Sequence, residues 1–251
     1  MLPEPIETTP AEPIIEQPQP ARPSREPFWD YTDVALVIGL TFAMLAVAAI
    51  LVVVVYHGAL LTDSPGLVLS SNLALYLFLY VAFRVAFKLR YGKPVFSSLG
   101  WRPARYNTLF VASGGVVLAF AISGLASLLH TPKINSEIEK LLESRSSLVM
   151  FGIMAVTIAP FFEELFFRGF LQPLLSRSFG VVAGVLLTAL LFGSMHAPEY
   201  AWAWQYALAV ALVGAVLGWV RARTGSIIPS TIMHACYNAV FFVAAAFQHP
   251  K

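Results

Sequence analysis

Two adjacent carboxylates, Glu163 and Glu164, and one guanidinium, Arg168, interrupt an aromatic and aliphatic run from Ile158 to Gly169. Ionisable groups inside an apolar stretch of membrane length are costly. They face a bundle interior or a polar cavity by default, and so mark a functional site. Successive helical residues turn by about 100°, so the two glutamates point along different faces. Arg168 follows Glu164 by four residues, the favoured order for an acid–base pair on one helix. The spacing predicts a division of labour in which Arg168 neutralises Glu164 and Glu163 is left to face another element.

Two further polar sets follow. Phe192-Gly193-Ser194-Met195-His196 places a histidine one turn after a phenylalanine, and His234-Ala235-Cys236-Tyr237-Asn238 places a histidine and an amide one turn apart. A carboxylate and an imidazole at one depth can together take a proton from water. A second imidazole with an amide can donate to a developing oxyanion. That assembly suits hydrolysis of a peptide bond at the membrane. Alternatively Glu163, His196 and His234 can hold a divalent metal such as zinc, with a fourth position open to water. No H-E-x-x-H is present, which weakens the metal version. Each group also has a plainer reading: Glu164 with Arg168 as a structural ion pair, His234 with Asn238 as interhelical hydrogen-bond glue, and Cys236 as packing. His57, His130 and His249 sit at span ends or the terminus and receive no role.

The elements that carry these groups are apolar helices. Of 251 residues 58% are hydrophobic and only 12% charged, half the charge of an average soluble domain, at about 25%. A net charge of +2 without a basic tract excludes a nucleic-acid surface, and one cysteine excludes an intrachain disulfide. No cleavable signal peptide is visible, so the first span is expected to act as the targeting signal. The expected fold is all-α: a polytopic bundle of about seven or eight transmembrane spans behind a disordered proline-rich tail. Residues 1–28 form that tail, with eight of the seventeen prolines. Residues 29–130 hold three spans, near 32–56, 67–87 and 108–129. Residues 131–147 read as an amphipathic helix at the interface, where Ser136 and Glu139 have capping-box spacing. Residues 148–247 form the catalytic core, with spans near 148–175, 181–196, 202–220 and 227–247.

Lys and Arg concentrate in the loops near 84–105, 168–178 and 221–223, which puts those loops and the N-terminus in the cytoplasm. If the fourth and fifth spans turn near Ser178–Gly180, Glu163 and His196 both stand some 24–26 Å from the turn at about 1.5 Å per residue. His234 lies only about ten residues past the turn near Gly225, so the seventh span must start deeper or tilt.

The run Ala159 to Gly169 resembles the EExxxR motif of the CAAX-protease and bacteriocin-processing family (CPBP, or Abi) of intramembrane endopeptidases. Phe192 to His196 is similar to that family's FxxxH motif and His234 to Asn238 to its HxxxN motif, in the same order on three spans. The resemblance covers roughly residues 148–245. It implies that Glu163 and His196 activate the attacking water and that His234 and Asn238 hold the oxyanion, with Glu164, Arg168 and Phe192 in support. It implies membrane lipid and a membrane-associated or lipidated protein or peptide as partners, and a multi-pass protein of the bacterial inner membrane. Members of the family are often classed as metalloproteases, although a glutamate mechanism needs no metal. The rival reading is a non-enzymatic membrane protein, either a proton-coupled carrier or a sequestering adaptor.

Overall fold

The computed structural model describes residues 27–55, 65–132 and 144–248, which are all-helical with no strand among them. Among the described residues seven helices are long and apolar enough to cross a membrane, and the protein is an integral multi-pass membrane protein. The spans are α1 (Tyr31–Val55), α2 (Pro65–Arg84, continued by a π-helical turn over Val85–Leu89), α4 (Thr108–Leu128), α5 (Arg145–Phe179), α6 (Val181–His196), α7 (Trp204–Thr224) and α8 (Ile227–Gln248). A one-turn helix, α3 (Val95–Ser98), lies in the loop between α2 and α4, and a 3₁₀ turn (Ala197–Tyr200) follows α6. The predicted interfacial helix falls mostly on residues 133–143, which lie outside the described residues, as do residues 1–26 of the predicted tail.

Large apolar side chains cover the outside, among them Phe42, Ile50, Leu109, Phe110, Phe120 and Val182. In water so much exposed apolar area would drive association; in lipid it is the solvated face. The window of α1 is only 11% buried, so this span is largely a lipid-facing element leaning on α2. Its start is nonetheless firmly anchored. Asp30 accepts from the N–H groups of Thr32 (2.8 Å) and Asp33 (3.2 Å), and Asp33 accepts in return from the N–H of Asp30 (2.9 Å). This reciprocal cap satisfies amide donors that have no partner inside the helix. Asp33 also takes a guanidinium hydrogen from Arg90 and the hydroxyl of Tyr91. Just before the cap, Trp29 donates to the Phe170 carbonyl at 3.1 Å and sits among Phe28, Phe87 and Phe170. Pro27 and Phe28, assigned to the tail from sequence, are thus seated: Phe28 packs on Trp29, and the Pro27 carbonyl accepts from Arg177 at 2.6 Å.

The inner bundle is α5 to α8 with α4. The last part of α5 runs back against α6, α6 lies along α7, and α8 lies along α4. The start of the seventh span is covered by protein. Ser226, Ile227 and Ser230 are fully buried, and the loop after α3 bonds to the first two. The N–H of Ile227 donates to the Gly100 carbonyl (3.0 Å) and the Ser226 hydroxyl to the Arg102 carbonyl (2.7 Å). That loop can approach so closely because position 169 is glycine: a Cβ there would stand 2.5 Å from the Leu99 carbonyl oxygen.

α5 departs most from a regular helix. Two π-helical stretches, Met154–Ile158 and Glu164–Leu171, alternate with α-helical turns. Such wide turns insert a residue into the hydrogen-bond register and recur at functional sites. The α-helical periodicity assumed for Glu164 to Arg168 is therefore not the local geometry, although the pair forms.

Candidate active site

Arg168 and Glu164 lie in the second π stretch, both fully buried, with Arg168 Nη1 at 3.0 Å from Glu164 Oε1. The guanidinium also donates to the Gly214 carbonyl on α7 (3.1 Å) and lies over the Phe192 ring at 4.4 Å. One turn on, Gln172 repeats the contact by donating to the Gly218 carbonyl (2.8 Å). Arg168 thus neutralises a buried carboxylate, as its spacing suggests, and also ties α5 to α7. Phe192 becomes a hub of four contacts: the cation of Arg168, the Phe167 ring at 5.0 Å, the His196 ring at 4.5 Å and the His234 ring at 5.8 Å.

His234, 4% exposed, projects from α8 between the two glutamates. Its Nδ1 lies 3.2 Å from Glu164 Oε1 and its Nε2 3.7 Å from Glu163 Oε2. The carboxylate can only accept, so Nδ1 carries the hydrogen of the shorter contact. The sequence reading left Glu164 to Arg168 alone; here Glu164 also orients the imidazole. Glu163 keeps partial access, with 19% of its side chain exposed, and it turns toward the bundle rather than toward lipid.

His196 closes α6. Its Nδ1 lies 2.8 Å from the Phe192 carbonyl, an oxygen that can only accept, so Nδ1 is the donor. In the neutral ring this leaves Nε2 with a free lone pair. No hydrogen bond or ion pair joins His196 directly to Glu163 among the described residues. The two groups share a neighbour in Glu199, whose charge acts on both. Asn238 stands one turn after His234 and gives one N–H to the Ala155 carbonyl at 2.7 Å. Ala155 belongs to the first π stretch of α5, so the amide also fastens α8 to that widened turn. Cys236 packs against α4, where a Cβ on Gly115 would touch its Cβ at 2.9 Å.

Two neighbours of Glu163 have no signal in the sequence reading. Tyr76, from α2, lies close enough to Glu163 for the two to interact electrostatically, and its ring stacks on Phe162 at 5.1 Å. One of two tyrosines in an apolar span, 87 positions away, announces nothing. Glu199 was legible in principle, as an acid three residues past His196 at a span end. Among the described residues no three side chains of His, Cys, Asp and Glu gather into a metal-holding group. Glu163, His196 and His234 do not form the three-ligand site that the zinc alternative requires.

Residues 145–240 match the family model described as type II CAAX prenyl endopeptidase, Rce1-like. The match spans α5 to most of α8 and contains all three polar motifs. The family resemblance carried by those motifs is therefore shown, and it supports an intramembrane protease, a peptidase of membrane-embedded helices. No curated protein and no solved structure matches the chain.

Proposed function

From the Rce1-like character of residues 145–240, we propose that the protein is an intramembrane endopeptidase that cleaves a membrane-associated or lipidated protein or peptide, with Glu163 and His196 activating the attacking water. The observation that carries the reading is the different bonding of the two neighbouring glutamates. Glu164 is buried and committed to Arg168 and His234, whereas Glu163 is partly exposed and forms no ion pair with a guanidinium among the described residues. A carboxylate held inside a bundle without a dedicated cation is available for proton transfer.

The roles follow from the hydrogen bonds. His196, with its Nδ1–H given to a carbonyl, presents Nε2 as a proton acceptor. Water loses a proton to the Glu163–His196 side of the site as its oxygen bonds to the substrate carbonyl carbon. His234 is held by Glu164 through Nδ1, so its Nε2 carries a hydrogen toward an oxyanion when the ring is protonated. Asn238 contributes its second N–H to the same oxygen. Collapse of the tetrahedral species breaks the C–N bond, and the proton taken from water passes to the leaving amine. No step requires a metal. With the N-terminus in the cytoplasm of a bacterial inner membrane, the His196–Glu199 end of the site opens toward the opposite face.

The test uses purified full-length protein in proteoliposomes, with prenylated and unmodified membrane peptides and products read by mass spectrometry. Glu163→Gln and His196→Ala should each lose cleavage by about 10²- to 10⁴-fold while inserting and folding normally. Chelator should leave the wild-type rate unchanged. Normal processing by both variants would remove the assignment.

A further inference from the structure

A second polar cavity lies at the opposite end of the bundle, and the chemistry above does not use it. It has a volume of about 800 Å³ and is lined by Lys93, Arg102, Arg177 and Arg221, by hydroxyl groups including Ser97 and Ser98, and by Trp29 on one wall. No Asp or Glu lines it, and none of the four cations forms an ion pair among the described residues. Arg102 and Arg221 line the same cavity and feel each other's charge, with Glu164, outside the lining, the acid whose charge also reaches Arg221. The Arg221 guanidinium lies against Gly100, where a Cβ would meet its Nη2 at 2.8 Å, and its Nε is buried without a hydrogen-bond partner. Arg102 and Arg177 each give one hydrogen bond to a backbone carbonyl, of Gly225 and Pro27 respectively, and keep other N–H groups free. Guanidiniums that share one cavity, keep unused donors and have no acid in its lining suit an anion.

Its height narrows the ligand. The cavity is built from Pro27 to Trp29 just before α1, the loop through α3, and the ends of α5 and α7, all at one end of the spans. That is the level of lipid phosphates, and basic pockets between spans on the cytoplasmic side accept anionic headgroups. We propose that this cavity binds a phosphate-bearing anion, with the two guanidiniums of Arg102 and Arg221 taking the phosphate oxygens. Lys93 and Arg177 supply further positive charge at the rim. The site is independent of peptide cleavage.

The test measures thermal unfolding of the full chain in neutral detergent, with short-chain phosphatidylglycerol, phosphatidylcholine or inorganic phosphate titrated in. Phosphatidylglycerol should stabilise at lower concentration than phosphatidylcholine; stabilisation by inorganic phosphate to the same extent would assign the site to a soluble phosphate instead of a lipid. Arg102→Gln and Arg221→Gln should each weaken the midpoint by about tenfold or more. Arg223→Gln, at the same end of α7 but outside the cavity, should leave it unchanged. If Arg221→Gln does not fold, Arg102→Gln and Lys93→Gln, both on the exposed loop, carry the comparison. No stabilisation by any of the three ligands, or equal weakening by Arg223→Gln, overturns the site.

Discussion

Glu163 and Glu164 are neighbours, and replacing each by glutamine should separate two kinds of damage. Glu164→Gln keeps the shape but leaves Arg168 as a buried cation without its ion pair, held by the Gly214 carbonyl and the Phe167 and Phe192 rings. Removing one partner of a buried ion pair costs about 3–5 kcal/mol. At roughly 2–4 °C per kcal/mol for a chain of this size, the melting point should fall by roughly 6–20 °C. The same change frees the Nδ1 side of His234, so cleavage should fall as well. Glu163→Gln disturbs a contact of 3.7 Å on a side chain that retains solvent. Its stability cost should stay below about 1 kcal/mol, with activity lost nonetheless. Thermal unfolding in detergent, followed by intrinsic fluorescence alongside the cleavage assay, reads both quantities. A double Glu164→Gln, Arg168→Met variant should recover part of the loss, because no orphan charge remains. Equal destabilisation by the two single variants, or a stable Glu164→Gln, would refute the division of roles.

Other outcomes follow from single contacts. Asp33→Asn weakens the hydrogen bonds from Arg90 and Tyr91 and the cap of α1, and should cost about 1–3 kcal/mol by thermal unfolding. Asn107→Ala removes the acceptor for the Phe110 N–H (3.0 Å) at the start of α4, worth about 1 kcal/mol by the same measurement. The Tyr91 hydroxyl is pushed up to about 12 from 10 by burial and by its hydrogen bond to Asp33. The folded protein therefore holds that proton more tightly, and the stability from this contact is present below pH 10 and lost as pH climbs through 12. Unfolding scans of wild type and Tyr91→Phe should differ in slope only in that alkaline window. Gly193→Leu places a side chain on the Ala207 carbonyl and Ala211 of α7; it should abolish folding, read as loss of the monodisperse peak in size-exclusion chromatography.

Apolar length alone made the seven spans legible, and Val181 to His196 was bounded to the residue because Gly180 and Pro198 punctuate it. The Glu164–Arg168 pair was legible because both partners sit on one helix. What the sequence hid depends on rotation and depth. Whether His234 meets Glu163 or Glu164 is decided by how α8 turns against α5, and the two contacts differ by 0.5 Å. The start of α8 is pinned by a loop more than 120 positions earlier, folded over Ser226 and Ile227. Tyr76 reaches Glu163 from a span whose other residues are nearly all apolar. The π-helical stretches of α5 were invisible to an argument built on a uniform turn per residue, since their composition differs little from an ordinary membrane helix.

Those wide turns give α5 an unusual mutational grammar. Each overwide stretch holds surplus chain, so a deletion of one residue within Met154–Ile158 could be absorbed as a narrower, regular helix without breaking the span. Glu163 and everything beyond it would keep their facing, because the regular turn sheds the surplus residue. The same deletion in a regular stretch such as Arg145–Ile153 has no surplus to shed and would turn the residues before it by about 100° against those after it. For this helix the place of a change of length matters more than the change itself, and a chain shortened by one residue within Met154–Ile158 should be inserted, folded and still active in the cleavage assay.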